Sequence, residues 1–141
     1  MDWKIEVIPL PVAYVDRAKQ FYQERCGFAV DHDTAISPQM RIVQLTPQGS
    51  GCSIVIGTGM LNTAPGSVQG LQLVVDDIDE AYATLTAGGV ETSPVQHFEG
   101  STRVDGRGGP WNSFVFFADP DGNSWTIQER PRPDEPPAET R

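Results

Sequence analysis

The sequence predicts an α+β fold made of two tandem strand–helix–strand–strand–strand modules. Three observations carry that expectation. A short β-type run followed by an acid-capped amphipathic helix occurs twice, over IEVIPLPV (5–12) with the segment from Asp16, and over LQLVV (71–75) with the segment from Asp77. Further β-type segments follow each helix. The last two strands of each half are joined by related turns, TPQGSG before CSIVIG and DPDGN before SWTIQE. Short alternating or apolar runs argue for strands, and apolar residues at three- and four-residue spacing argue for helices.

The elements follow in chain order. In the first half Asp16 is the expected N-cap, with Ala18, Phe21, Tyr22 and Cys26 on the buried stripe and Gly27 as the stop. In the second half Asp77 is the expected N-cap, and Glu80 stands where a capping box places its acid. Ile78, Ala81, Tyr82 and Leu85 form the predicted stripe, closed by Gly88 and Gly89. Proline at the second turn position and glycine at the fourth suit a tight type I turn in both halves. The boundaries read as one domain over 1–129, with module one at 5–57, a polar linker at 58–68 and module two at 69–129. The proline-rich segment 130–141 lacks large apolar residues and is expected to be a disordered tail. The glycine-rich stretch 93–112 is long for a connection, so a covering lid and an inert surface loop both stand as readings.

Bulk composition limits the partners. With 141 residues, 10 basic against 19 acidic side chains and a net charge of −9, the chain lacks the cations by which nucleic-acid binders neutralise phosphates. The same balance disfavours an anionic membrane surface, and no apolar run approaches the ~20 residues of a spanning helix. There is no signal-type apolar segment, and the 2 cysteines are too few for a disulfide framework, which together predict a cytoplasmic protein. Cys26 and Cys52 are expected to be packed rather than reactive, since neither neighbours a histidine or a helix N-terminus. The glycines near 106–109 lack the ending and setting of a phosphate loop, and DPDG lacks the remaining ligands of a calcium loop.

Three segments, VDRAKQFYQERCGF (15–28), LVVDDIDEAYATLTAGGV (73–90) and FADPDGNSWTIQE (117–129), resemble the vicinal-oxygen-chelate superfamily, which includes glyoxalases, bleomycin-resistance proteins and extradiol dioxygenases. The resemblance spans nearly the whole chain except the tail. It implies two βαβββ modules whose curved sheets form a cup with a ligand inside and helices outside, and it implies a homodimer. It also implies a divalent metal held by His, Gln or Glu at three strand positions. Here those positions carry Val7, Gly70 and Thr126. Valine and glycine side chains offer no donor, and a lone threonine hydroxyl is a poor one. A one-residue slip would offer Glu6, Gln69 and Trp125, but it would also turn Leu71, Leu73 and Val75 out of the core. Glu129 lies too near its strand end to replace Thr126. The sequence therefore predicts no metal and no cofactor.

Strand alternation names the pocket candidates. Val7 and Pro9 are expected to face the cup from the first strand, Gln72 from the fifth, Phe114 and Phe116 from the strand at 113–118, and Thr126 and Gln128 from the last. Arg41 and Gln44 share one strand, and one of them is expected to face the ligand. Arg103 and Trp111 stand in the glycine-rich stretch, where they could cover the mouth. His32 reads as an exposed loop residue. His97 is the candidate general acid–base, because histidine titrates near neutrality. Three functions are compatible: a metal-free binder of a hydrophobic or aromatic small molecule, a metal-free lyase or isomerase using His97, and a glyoxalase-type metalloenzyme. The first agrees best with the absent ligands and the amide-and-aromatic lining.

Overall fold

The structure, a computed structural model, describes residues 1–131. The predicted tail from 132 onward lies outside the described residues. Arg130, its first residue, extends the last strand by donating its N–H to the Val75 carbonyl and pairs with Asp76. The fold is α+β, with two sheets and few helices. Two compact units make up the chain. The first comprises Met1–Gln69 with Asp119–Asn123, and the second comprises Gly70–Ala118 with the residues from Ser124 onward.

The first unit holds β1 (Val7–Pro9), α1 (Val15–Gln20), β2 (Ala29–Ser37), β3 (Met40–Thr46) and β4 (Ser53–Thr58). Its four strands lie in the order β1-β4-β3-β2, with β1 and β4 parallel and the rest antiparallel. Alternation sends Val43, Leu45, Ile54 and Ile56 to the helix side, where Ala18, Phe21 and Tyr22 cover them. The helix begins one residue before the expected cap. Tyr14 is the N-cap, without a side-chain bond, and Asp16 sits in the first turn and pairs with Arg41 instead. After Gln20 the helix widens into a π-type turn over Phe21–Arg25, with the Cys26 N–H reaching back to the Phe21 carbonyl. Phe21 and Tyr22, three and four residues after Ala18, are both in the core, as the stripe predicts.

A buried polar knot closes this unit. Asp119, 5% exposed, accepts the Tyr22 hydroxyl at 2.7 Å, the Asn123 side-chain amide at 2.8 Å and the backbone N–H groups of Asp121 and Asn123. Asn123 also donates to the Pro11 carbonyl and accepts the Val68 N–H. Asp121 accepts the Ala13 N–H and pairs with Arg17 at 2.9 Å. The DPDGN turn, a hairpin turn by sequence, is thus a clamp that gathers three separate stretches of the first unit. Gly66 must be glycine here, since a Cβ would lie 2.0 Å from the Asp121 carbonyl oxygen.

The second unit holds β5 (Leu71–Val75), α2 (Ile78–Ala87), β6 (Gln96–Glu99), β7 (Thr102–Asp105), β8 (Phe114–Ala118) and β9 (Ser124–Glu129). Its five strands lie in the order β5-β9-β8-β6-β7, with β5 and β9 parallel. Asp77 caps α2 as expected, accepting the N–H groups of Asp79 and Glu80. Gly89, at φ +83, supplies the left-handed stop. Ile78, Leu85, Val115, Phe117, Trp125 and Ile127 form the helix-side core, with the Phe117 and Trp125 rings stacked. Tyr82, expected in the stripe, is exposed. It stands at the edge of a helix whose buried line runs through Ile78 and Leu85.

The glycine-rich stretch is not a single loop. Residues 96–105 form the β6–β7 hairpin, turned at Gly100 with φ +64, and they add a fifth strand to the sheet. The short runs QHFE and TRVD around a Gly-Ser-containing turn carry the period-2 alternation that permits this.

Candidate functional site

Each sheet has one face covered by its helix and one open face, and alternation decides which side chains reach the open one. In the second unit the register aligns Gln72 with Thr126 and Thr126 with Phe116, then Val74 with Gln128, Gln128 with Phe114 and Phe114 with Gln96. Phe98 and Arg103 are partners across the hairpin, as are Gln96 and Asp105. These residues share the open face. Three phenyl rings form its floor: Phe114 and Phe116 are stacked at 5.9 Å, and Phe98 meets them edge-on at 5.3 and 6.2 Å. Arg103 reaches across β6 and sets its guanidinium over the Phe116 ring, 3.6 Å from the centre. Gln72 donates to Gln128 at 2.6 Å, and Gln128 donates to the Trp111 carbonyl at 2.8 Å. Gln96 donates to Asp105, while its own carbonyl oxygen is buried with no partner.

Trp111 stands beside this face in the segment 106–112, at φ +63, a conformation that non-glycine residues rarely hold. The segment is pinned rather than free. Asn112 bonds both the N–H and the carbonyl of Phe98, and the Gly108 N–H donates to the Ser113 hydroxyl.

The open face of the first unit's sheet is different. Val7 and Pro9 lie on it beside Ser53 and Val55, and Gln44 lies on it opposite Val55. At a register shift in β2, Asp31 turns toward the Thr46 hydroxyl and the Gln44 amide, and Thr46 and Ser53 are 2.6 Å apart. This is a small, self-satisfied polar cluster without an aromatic ring. A cleft of about 210 Å³ also lies in this unit, lined by Leu10, Pro11, Gly57, Leu61 and Pro65 among others. It has no charged or amide side chain in its lining.

Two expected site residues point elsewhere. Arg41 shares parity with Val43 and Leu45, so it lies on the helix side. There it pairs with both oxygens of Asp33 and with Asp16. These bonds hold Arg41 above its ordinary range and, with Lys19, hold the Asp33 carboxyl well below the usual carboxylate range. Of the two candidates on that strand, Gln44 faces the open side. His97 lies opposite Val104, between Gln96 and Phe98 and therefore on the far face from the rings. Its Nδ1 is 2.8 Å from the Gly106 carbonyl and its Nε2 faces Glu99. Phe98, Gln96 and Asp105 were not foreseen. Their signal is the alternation in QHFE and TRVD, obscured by the surrounding glycines.

The donor chemistry does not fit the divalent metal that the family resemblance implies. Val7, Gly70 and Thr126 offer a single hydroxyl among them. In the slipped register Gln69 already donates to the Gly66 and Gly122 carbonyls, and Trp125 is packed on Phe117. Glu129 is turned to the helix side, where it accepts the Ile78 N–H and pairs with Arg107, whose guanidinium is raised mainly by that bond. Among the described residues, no three His, Cys, Asp or Glu side chains gather as a metal site. Cys26 is no nucleophile, because burial and then the Asp119 charge push its thiol up to about 12.

Comparison with known proteins agrees with this architecture. Residues 4–127 match the model of the Glyoxalase/Bleomycin resistance protein/Dioxygenase superfamily. The crystal structure of TnmS3, an antibiotic binding protein from Streptomyces sp. CB03234, is 29% identical with a TM-score of 0.73, covering 92% of this chain and 98% of that one. A glyoxalase/bleomycin resistance protein from the same organism is 30% identical with a TM-score of 0.69, covering 89% and 99%. The uncharacterized protein YetH of Bacillus subtilis (strain 168) is 27% identical over 128 residues, 89% of this chain and 99% of that protein.

Proposed function

The chain belongs to the Glyoxalase/Bleomycin resistance protein/Dioxygenase superfamily, and from that premise we propose that it is a metal-free binding protein for a small hydrophobic or aromatic molecule. The observation that carries this reading is the open face of the second unit, where Phe98, Phe114 and Phe116 make an aromatic floor under Arg103. A ligand that covers these partly exposed rings gains about 25 cal/mol per Å² of apolar surface buried. Gln72, exposed on this face and held in place by Gln128, supplies a fixed polar group that orients a ligand.

Binding is favoured over turnover because the one histidine suited to proton transfer on this unit, His97, lies on the opposite face of its strand. Sequestration is the corresponding role, and a relative described as an antibiotic binding protein supports it. In this reading residues 1–129 act as one functional domain in the cytoplasm, with both cysteines free. The chain pairs with a second copy, and the exposed apolar side chains Trp3, Ile5 and Ile36 support that pairing. Light scattering at micromolar concentration checks it by returning twice the chain mass.

A thermal-shift panel of divalent metals, aromatic compounds, cations and dicarbonyls tests the function. An aromatic ligand at 100 times its dissociation constant adds ~2.7 kcal/mol, enough to raise Tm by on the order of 10 °C. A shift with aromatic compounds and none with metals supports the reading. A stoichiometric shift with a metal alone overturns it.

A further inference from the structure

The reading above leaves the charge of the ligand open, and Arg103 addresses it. The chain carries 10 basic and 19 acidic side chains, so a cation has ready partners. Arg17, Arg41, Arg107 and Arg130 each pair with a carboxylate. Arg103 stands apart from them: among the described residues its side chain makes neither an ion pair nor a hydrogen bond, and its guanidinium lies over the face of Phe116. Contact through the flat face of a guanidinium leaves its edge N–H groups available, and those are the groups that take a carboxylate in a two-pronged grip. The cation–π contact also fixes the long side chain before binding, which lowers the ordering cost of engaging a ligand.

Resting on the aromatic-binding reading, we propose that this site selects a planar aromatic anion: a fused or extended ring carrying a carboxylate or an ionised phenol. The ring packs against Phe98 and Phe114, and the anionic oxygen meets the edge of the Arg103 guanidinium where it lies over Phe116. Two charges argue against it and can be weighed. The net charge of −9 repels anions at long range, but salt screens that field beyond ~8 Å in physiological buffer, whereas a guanidinium contact acts at hydrogen-bond distance. Asp105 shares the face, yet it is two residues along β7, opposite Gln96, whose amide it engages. Successive residues on one face of a strand are ~6.5–7 Å apart, so the anion is restricted to the Arg103 end rather than excluded.

The experiment is calorimetric titration of the full chain with 2-naphthoate, neutral 2-naphthamide and cationic 2-naphthylmethylamine. The same three probes are titrated into Arg103→Gln and Arg103→Lys. Arg103 is exposed on an edge strand, so both variants should keep the parent Tm, which a melting curve verifies. The expected result is that naphthoate binds at least tenfold tighter than the amide. Arg103→Gln reduces that ratio to within about twofold while leaving amide affinity nearly unchanged, and Arg103→Lys retains part of it. If the amide or amine binds as well as naphthoate, or if Arg103→Gln keeps the ratio, the charge assignment is wrong while the aromatic site stands. If none of the three binds, both this proposal and the aromatic-binding reading fall.

Discussion

The two units share a strand–helix start and a parallel outer pair followed by antiparallel strands, the second with one strand more, and yet their open sheet faces differ in chemistry. The first unit's face carries a small polar cluster, with Asp31, Gln44, Thr46 and Ser53 bonded to one another beside Val7, Pro9 and Val55. The second unit's face is aromatic and carries an arginine that pairs with no acid among the described residues. Their turns differ as sharply. The turn after β3 holds itself with a Ser50-to-Pro47 bond and stays exposed, whereas the turn after β8 carries the buried Asp119 knot. Topology fixes where side chains point; it leaves free what they are. Both units bond their amides internally, but the second also presents aromatic rings and an arginine side chain with no ion pair among the described residues.

The sharpest break of that comparison is Asp119→Ala. It removes the acceptor for Tyr22, Asn123 and two backbone N–H groups in a site that is 5% exposed. Leaving several buried donors unpaired costs on the order of 3–5 kcal/mol, with the contributions not additive. Urea unfolding is expected to show that loss, and Tyr22→Phe, which removes one bond only, about 1–1.5 kcal/mol. Equal losses for the two variants would mean that the Asn123 and backbone bonds to Asp119 add nothing once the Tyr22 bond is gone.

Next in size is Phe116→Ala. It removes the ring that supports Arg103 and stacks on Phe114. Affinity for any aromatic probe is expected to fall at least tenfold by titration. Because Phe116 is only half-buried, stability falls less than the ~3–5 kcal/mol typical of emptying a core phenylalanine site. Unchanged probe affinity would move the binding site away from this face.

The contrast also explains how much was legible in the sequence. Strand parity is a strong signal wherever one face is apolar. It put Gln72, Thr126 and Gln128 on one side and Trp125 and Ile127 on the other, and the structure places them so. It gave no preference on β3, where Arg41 and Gln44 are both polar, and the choice there depends on Asp16 and Asp33, which only folding brings to Arg41. The β6–β7 hairpin was hidden because glycine and serine content argued for a loop, while two four-residue strands carry too few residues for periodicity to compete. With the hairpin went Phe98, Gln96, Asp105 and the facing of His97. The clamp at Asp119 was legible as a turn but not as an anchor, because nothing local announces that Tyr22 is its partner across 97 residues.

A smaller test concerns the ionic network on the helix side of the first unit. Asp33 bonds Arg41 and Lys19, and its carboxyl is held below its ordinary range by those bonds. A depressed carboxyl contributes stability above its unfolded pKa and loses it as pH falls, so this contribution should fade below about pH 4. The network is partly exposed, which limits it to about 0.5–1 kcal/mol. Asp33→Asn is expected to cost that much at pH 7 and to flatten the acid limb of a Tm-against-pH curve. An unchanged acid limb would show that other carboxylates control it.

The smallest effect bears most directly on which unit holds the ligand. Asp105 is the acid on the aromatic face, and it is exposed. Asp105→Asn keeps an acceptor for the Gln96 amide and removes one negative charge near the anion's position. Affinity for 2-naphthoate should rise about two- to threefold and affinity for 2-naphthamide should not move, since exposed charges at this range interact by well under 1 kcal/mol. The matching change in the first unit, Asp31→Asn, should leave both affinities alone if the ligand lies where the rings are. A rise in naphthoate affinity from Asp31→Asn equal to that from Asp105→Asn would mean that the variants act through net charge rather than place. The contrast between the two faces would then say nothing about where the ligand sits.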